Sequence, residues 1–326
     1  MIERKILKIS PVTEQVIGEY PTIAEAARVM NVDESSIRKR LNHPTRTCKG
    51  YRWAETFVDK GIEVKPSESR AKILLLDIET APIAAYVWGL WDQNVFGDQI
   101  ISDWFMLTWA AKWLGEEEVF SNRLSSLEAV EEDDSRIVKK LWNLLDEADV
   151  VIAHNGIKFD IPKINSRFLV HGFMPPSTYK QIDTLKVARN HFGFSSNKLQ
   201  SLAQLFGFDG KNDTDFNLWK KSMKGVREAL VEMEQYNIQD VRVLEDVYVK
   251  LRPYIKGHPN LDLYIDDDRP HCPSCGSIDI TVMHGKFFYT QAVKYKQYRC
   301  SNCGAVSRAK SGEKYENKKQ ISAIPR

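Results

Sequence analysis

Residues 73–80 read Ile73-Leu74-Leu75-Leu76-Asp77-Ile78-Glu79-Thr80. An apolar run that passes into an acid–apolar–acid alternation predicts a strand buried over most of its length and emerging at its C-terminal end. Side chains i and i+2 of an extended chain point the same way, so the Asp77 and Glu79 carboxylates leave one face and converge. Two such groups repel, and each is pushed toward its protonated form unless a cation holds them. Hard divalent ions with oxygen ligands, Mg²⁺ or Mn²⁺, answer that repulsion. Taken alone, an Asp-x-Glu at a strand end is also the composition of an exposed turn.

The surrounding chain alternates strand and helix, as an α/β domain does. Phe105 to Trp113, Glu118 to Asn122 and Val150 to Ala153 read as further strands. Ile137, Leu141, Leu144 and Leu145 recur at i, i+4, i+7 and i+8, the stripe of a helix packed on a sheet. Helices are expected after Asp160, Asp183 and Asn197. A long one from about Val226 to Lys250 carries Met233, Tyr236, Asp240, Val243 and Val247 on one side.

Two more segments carry chemistry. His154-Asn155-Gly156-Ile157-Lys158-Phe159-Asp160 follows the strand ending at Ala153, with Gly156 at a sharp bend and Asp160 at the start of a helix containing Pro162. A helix N-cap is the alternative role for Asp160. Tyr236 and Asp240, at i and i+4, share the core-directed side of the long helix. An acid there is costly unless it is paired or binds a metal.

Asp77-Ile78-Glu79, Asn155 to Asp160, and Tyr236 to Asp240, in this order, resemble the three motifs of the DEDD superfamily of 3′–5′ exonucleases with the ribonuclease-H-like fold. The likeness spans about 71–252, and Asn155 to Asp160 is especially similar to the version in family-B polymerase proofreading domains and related stand-alone exonucleases. Five residues before the last Asp, where the histidine branch of the superfamily carries His, stands Gln235, so the tyrosine branch is favoured. The resemblance implies two Mg²⁺ or Mn²⁺ ions, with Asp77 bridging them, Glu79 completing one shell, and Asp160 and Asp240 helping to hold the pair. It further implies that Tyr236 orients the attacking water and that nucleoside 5′-monophosphates are released. Asp183 is read first as an N-cap, and His154 as a packing or hydrogen-bonding residue at the strand end. Of Trp88, Trp91, Trp104, Trp109 and Trp113, most are expected in the core, with one or two near Asp77 free to stack on a terminal base. Glu116-Glu117-Glu118 reads as solvated surface.

The strongest local signal lies near the C-terminus. Cys272-Pro273-Ser274-Cys275-Gly276 and Cys300-Ser301-Asn302-Cys303-Gly304 are two C-x-x-C knuckles 24 residues apart. Four thiolates close a tetrahedral Zn²⁺ site with no open position, a structural rather than catalytic arrangement. His271 is then a bystander. The segment resembles a zinc ribbon over about 270–305, its hairpin expected between Ile278–Met283 and Phe287–Arg299 around His284-Gly285. Lys286, Lys294, Lys296 and Arg299 alternate with Phe287, Phe288, Tyr289, Tyr295 and Tyr298 in the manner of a nucleic-acid surface. A packed mini-core with solubilising lysines is the alternative.

At the other end, Thr22 can cap a helix over Ile23–Met30 and Asp33 a second one through Leu41, which is helix-turn-helix spacing. Arg38, Lys39, Arg40, Arg46, Lys49 and Arg52 fall in a stretch without an acid between Glu34 and Glu55, suited to a phosphate backbone. A solvated helix face is the alternative. Tyr20 to Ala27, Ser35-Ser36-Ile37 and Gly50-Tyr51-Arg52-Trp53 resemble the modular DNA-binding domain attached to homing endonucleases and phage enzymes.

The 326 residues, 43% hydrophobic and 28% charged, have ordinary globular composition, which excludes fibrous and disordered classes. No stretch is apolar enough to span a membrane and Met1–Ser10 lacks a signal-peptide core, so a cytoplasmic enzyme of a bacterial or phage-infected cell is expected. Charge is segregated. Residues 1–70 carry 13 Lys and Arg against 10 Asp and Glu, residues 71–284 carry 23 against 32, and residues 285–326 carry 10 against 2. An acidic middle between basic ends suits a polyanion gripped at the flanks and a metal-binding centre.

The expected architecture is therefore a helix-turn-helix module over 1–64 and a ribonuclease-H-like mixed sheet flanked by helices over 71–256, with a zinc ribbon and basic tail over 268–326. Polar joints at Val64–Ser69 and Pro253–Asp268 separate them. DNA, as single-stranded 3′ ends, is the expected substrate, and a polymerase or replication complex a possible associate. A structure-specific endonuclease on the same fold and a non-catalytic DNA-binding accessory protein are the other readings.

Overall fold

The structure is a computed structural model that describes residues 2–11, 15–41, 46–59, 71–208, 215–290 and 293–312. It divides into two compact units, Met1–Glu68 and Ser69–Arg326. The joint read at Val64–Ser69 and the basic tail beyond Gly312 lie outside the described residues.

In the first unit, strands β1 (Ile2–Ile9) and β2 (Val16–Tyr20) precede helices α1 (Ile23–Met30) and α2 (Glu34–Arg38), and strand β3 (Arg52–Asp59) closes an antiparallel sheet of order β2-β1-β3. Both caps form as expected. Thr22 accepts from the Glu25 amide at 3.1 Å and Asp33 from the Ser35 amide at 2.8 Å. The second helix is shorter than the sequence spacing suggests, because Leu41 leaves it to form a bridge with Trp53. The helix pair is thus the crossover of a ββααβ unit whose strands carry too mixed a pattern to be foreseen. Its core is Ile6, Ile23, Ala26, Ala27, Ile37, Cys48 and Trp53.

The second unit opens on β4 (Ile73–Thr80), followed by the short β5 (Ala84–Ala85) and β6 (Ile100–Ser102), then β7 (Met106–Trp113) and β8 (Val119–Arg123). Helices α3 (Ser126–Glu131) and α4 (Ser135–Glu147) lead to β9 (Val150–Ala153), α5 (Asp160–Val170), β10 (Lys180–Asp183), α6 (Thr184–His191), α7 (Leu199–Phe206), α8 (Phe216–Met223) and the 25-residue α9 (Arg227–Leu251). The main sheet has the order β10-β9-β4-β7-β8. Its β4–β9 and β9–β10 pairs are parallel, and its β4–β7 and β7–β8 pairs antiparallel. Helices cover both faces, so the central strands are apolar on both sides, as the Ile73–Leu76 run requires. Leu74, Leu76 and Ile78 enter one core with the α4 stripe, while Ile73 and Leu75 enter the other with α9. Among the described residues no helix is long and apolar enough to cross a membrane.

The C-terminal part is a second antiparallel sheet, β11 (Ile280–Tyr289), β12 (Lys294–Cys300) and β13 (Val306–Arg308), in that order. The hairpin does not turn at His284-Gly285. Those residues form a bulge inside β11, where the register jumps between Val282 and Phe287, and the strands pair as far as the Thr290 amide, which donates to the Val293 carbonyl at 2.9 Å. Gly285 has φ +72, a bulge conformation that leaves both flanking segments paired with β12. The stretch Pro253–Asp268, read as a joint, is packed rather than extended. Leu261 is buried, its amide donates to the Pro273 carbonyl at 2.9 Å, and Tyr248 on α9 meets His258 at 2.8 Å.

Candidate functional site

β4 lies in the middle of the main sheet, and α9 packs across β4, β7 and β8. That crossing brings the first and last acids together. One oxygen each from Asp77, Glu79 and Asp240 lie within 4.8 Å of one another, with Asp77 and Glu79 half-buried and Asp240 buried. The convergence of i and i+2 side chains expected of the strand is realised, and Asp240 arrives from the helix above it.

Asp160 does not join this trio. Its carboxylate, 2% exposed at the start of α5, accepts a hydrogen bond from the Ile78 amide at 3.3 Å, on the backbone between the two strand acids. Burial raises its pKa to about 7, with the Asp183 charge adding to the effect and the hydrogen bonds from its own and the Ile78 amides opposing it. The four-acid shell implied by the family resemblance is therefore three acids with a fourth close behind, bonded to the strand. Desolvation and carboxylate repulsion both favour a backbone donor over a fourth anion as the partner of this carboxylate.

The loop 154–159 is held from several sides. Asn155 takes a positive φ of 75°, while Gly156 lies so close to Ala153 that a Cβ there would stand 2.5 Å from the Ala153 Cβ. Asp183 caps α6 through the Lys186 amide at 3.1 Å, as expected, and also accepts from the Asn155 and Ile157 amides at 3.0 and 3.3 Å. His154 bonds Thr184 at 2.8 Å and the Asn197 carbonyl at 3.0 Å, a strand-end clasp.

Tyr236 is half-buried on α9 and meets Trp219 edge to face at 6.2 Å. Trp219 also lines a pocket of about 520 Å³ with Thr80, Ile83, Trp104, Phe159 and Phe216. Lys163 puts a positive charge in the lining, its ammonium 3.7 Å from the centre of the Trp104 ring and its pKa lowered by burial. Thr80 directly follows Glu79, so an aromatic-walled pocket adjoins the end of the acid-bearing strand. Only part of the tryptophan expectation holds. Trp109 is buried and Trp113 packs on the core, but Trp88 and Trp91 are 96% and 83% exposed in the connection between β5 and β6, outside the layers that bury the sheet.

Sequence reasoning passed over Asn237. It is fully buried, and its Nδ2 donates to Asp77 Oδ2 at 2.6 Å. The available signal was its position three residues before Asp240, which places a polar group on the same helix face.

The four cysteine sulfurs also lie within 4.8 Å of one another. Cys272 and Cys303 stand 3.7 Å apart, as do Cys275 and Cys300. A tetrahedral ion with Zn–S bonds of ~2.3 Å requires sulfur separations of about 3.8 Å, so the cluster fits Zn²⁺. Each knuckle turns by a hydrogen bond that a glycine N–H donates to the carbonyl of the first cysteine, Gly276 to Cys272 at 2.8 Å and Gly304 to Cys300 at 2.9 Å, both glycines having positive φ. Cys275 is lowered to about 4 because it accepts from the Cys272 thiol, and Cys272 is raised by that same bond. His271 stays out of the ligand set, its ring between Asp262 at 3.1 Å and Asp267 at 3.4 Å. The carboxylate trio fits a different ion. Its donors are all oxygen and all anionic, and the buried Asn237 Oδ1 has no protein partner among the described residues, as suits a hard, hydrated divalent cation.

The basic residues singled out from sequence differ in exposure and pairing. Arg38 is exposed and pairs with Glu34 at 3.5 Å, Arg40 donates to the Ser36 carbonyl at 2.8 Å, Lys39, Arg46 and Lys49 are exposed, and Arg52 is half-buried. On the C-terminal sheet Lys294 lies 3.6 Å over the Phe287 ring, while Lys296 and Arg299 are exposed.

Residues 110–252 match the family model of the RNase_H superfamily. The match begins after β4, and the first acidic pair therefore rests on the geometry. A segment of 82 residues is 32% identical to a PolC-type DNA polymerase III of Ureaplasma parvum, covering 25% of this chain and 6% of that protein. The family B DNA polymerase of the archaeon Pyrobaculum calidifontis superposes with a TM-score of 0.43 at 15% identity, over 63% of this chain and 27% of the polymerase. The chain thus spans a small part of each of these proteins.

Proposed function

We propose that this protein is a divalent-metal-dependent 3′–5′ exonuclease of the tyrosine-bearing DEDD branch, acting on single-stranded 3′ ends of DNA. The observation that carries the reading is the meeting of Asp77, Glu79 and Asp240 within 4.8 Å, from a strand and a helix more than 140 residues apart in the chain, with Tyr236 one turn before Asp240 on that helix. The superfamily match and the PolC-type relative support nuclease chemistry and work at replicating DNA.

Asp77, Glu79 and Asp240 would hold the ions, with Asp160 close behind to complete the set. Bound there, divalent cations supply Lewis-acid charge at the scissile phosphate and make water acidic enough to attack it at neutral pH. A phenol ionises near pH ~10 in water and is a poor base at neutrality, so Tyr236 acts by orienting the attacking water through a hydrogen bond. Trp104, Phe159 and Trp219 offer aromatic faces to the terminal base, and Lys163 offers positive charge to its phosphate. The cysteine cluster is read as a structural Zn²⁺ site, and its sheet, with the N-terminal unit, as basic surfaces that grip DNA. Such an enzyme would serve a replication or repair polymerase in the cytoplasm.

The experiment is cleavage of 3′-labelled and 5′-labelled oligonucleotides with Mg²⁺ or Mn²⁺. Mononucleotides released from the 3′ side support the proposal. Internal cuts would make the protein an endonuclease on the same fold, and absence of metal-dependent cleavage would leave a DNA-binding accessory protein.

A further inference from the structure

We infer that Asn237 is a positioning residue that sets the Asp77 carboxylate for metal capture, an inference that rests on the nuclease reading. Asn237 sits on α9, one helical turn before Asp240, and its bond to Asp77 joins this helix to the end of β4. The same side chain therefore governs how closely the strand acid and the helix acid approach.

Packing alone does not account for an amide here. The residue is 0% exposed on a face it shares with Met233, Val241 and Leu244, where an apolar side chain would avoid the cost of burying polar atoms. An ionised carboxylate only accepts hydrogen bonds, so the amide must present Nδ2 to Asp77. Its Oδ1 is buried with no protein partner among the described residues, leaving an acceptor that the fold itself does not use.

The chemistry explains why the donor is neutral. The terminal torsion of Asp is broad, and repulsion from Glu79 and Asp240 favours turning the Asp77 carboxylate away from them, which the Asn237 donor opposes. A lysine or arginine would hold it but would neutralise the site and compete with a cation. A serine would be too short to bridge from helix to strand. An amide donor restrains one oxygen, leaves lone pairs for metal, and keeps the full negative charge of the trio.

The test is Mn²⁺ binding by calorimetry and electron paramagnetic resonance on the full chain, comparing wild type with Asn237→Leu, which keeps the volume and removes the donor. The expected result is a Mn²⁺ dissociation constant raised about 10- to 100-fold, the scale of losing a partner of a metal ligand, with an unchanged or higher melting temperature in metal-free buffer. In the cleavage assay, the Mn²⁺ concentration for half-maximal rate should rise by the same factor, while the rate at saturating Mn²⁺ falls less. Mn²⁺ affinity within two-fold of wild type overturns the inference and leaves the nuclease reading standing. Wild type that binds no Mn²⁺ overturns both. If Asn237→Leu does not fold, Asn237→Ala is measured in its place, and failure of both to fold makes Asn237 a folding residue and overturns the positioning role.

Discussion

The two candidate metal sites of the second unit are built in opposite ways. The cysteine cluster draws its four sulfurs from two turns of the same form, close in the chain, each shaped by its own Cys-x-x-Cys-Gly backbone. The carboxylate trio draws on β4 and α9, at opposite ends of the domain, and its geometry exists only when the sheet and the long helix have packed. The first site can help fold its surroundings, because a structural zinc contributes binding energy directly to folding. The second can only be the product of folding. Like charges brought together without an ion oppose the packing that assembles them.

The largest effects should come from the site that the fold assembles. Asp77→Ala or Asp240→Ala should cut 3′-end cleavage by roughly 10³-fold or more, the scale of losing a principal electrostatic group, while leaving the circular dichroism spectrum intact. Retained cleavage in either variant would break the comparison, because the trio would then not carry the reaction.

The cysteine site should show the converse. Cys300→Ser in the full chain should expose residues 270–308 to rapid hydrogen exchange, since a structural zinc contributes on the order of 10 kcal/mol, with β4 and α9 still protected and cleavage within about threefold of wild type. Equal loss of both would mean that the Tyr248–His258 contact couples the ribbon to α9 and that the sites are not separable.

A third test sharpens the cost of buried charge. The pKa of Asp160 is raised to about 7 in the fold against about 3.9 in an unfolded chain, so the folded protein holds this proton more tightly. Stability from this group is highest below pH ~4, is lost as pH rises toward ~7, and is fully lost above that. In metal-free buffer, Asp160→Asn should therefore melt several degrees above wild type at pH 8 and lose that advantage near pH 4. A melting-temperature difference that does not change across this range would show that Asp160 is not desolvated.

The smallest effect belongs to the ribbon surface. Lys296→Ala with Arg299→Ala should weaken single-stranded DNA binding several-fold and reduce the slope of log affinity against log salt by about 1.4, with turnover at saturating substrate unchanged. An unchanged salt slope would assign these side chains to solubility alone.

Particular residues show where sequence reading reached and where it stopped. The run Ile73–Leu76 is legible as a strand because burial on both faces leaves no polar residue in it, and the Cys-x-x-Cys-Gly knuckles because their spacing is itself the geometry. The helix stripe at Ile137, Leu141, Leu144 and Leu145 and the shared face of Tyr236 and Asp240 follow from the helical period, and the structure places them where that period puts them. β10, α8 and the N-terminal strands were missed, since short or mixed patterns carry little periodic signal. The ribbon turn is misplaced at His284-Gly285 by sequence reading because a bulge and a hairpin turn both call for glycine.

Local chemistry thus determined which residues could carry charge, sulfur and apolar faces, since those properties travel with the side chain. Tertiary structure alone decided that Asp160 would bond the Ile78 amide and stand behind the trio, that Asn237 would reach Asp77, and that Trp88 and Trp91 would remain in solvent. Each of these outcomes depends on distances between segments far apart in the chain, and burial, repulsion and hydrogen-bond satisfaction are settled only once those distances are set.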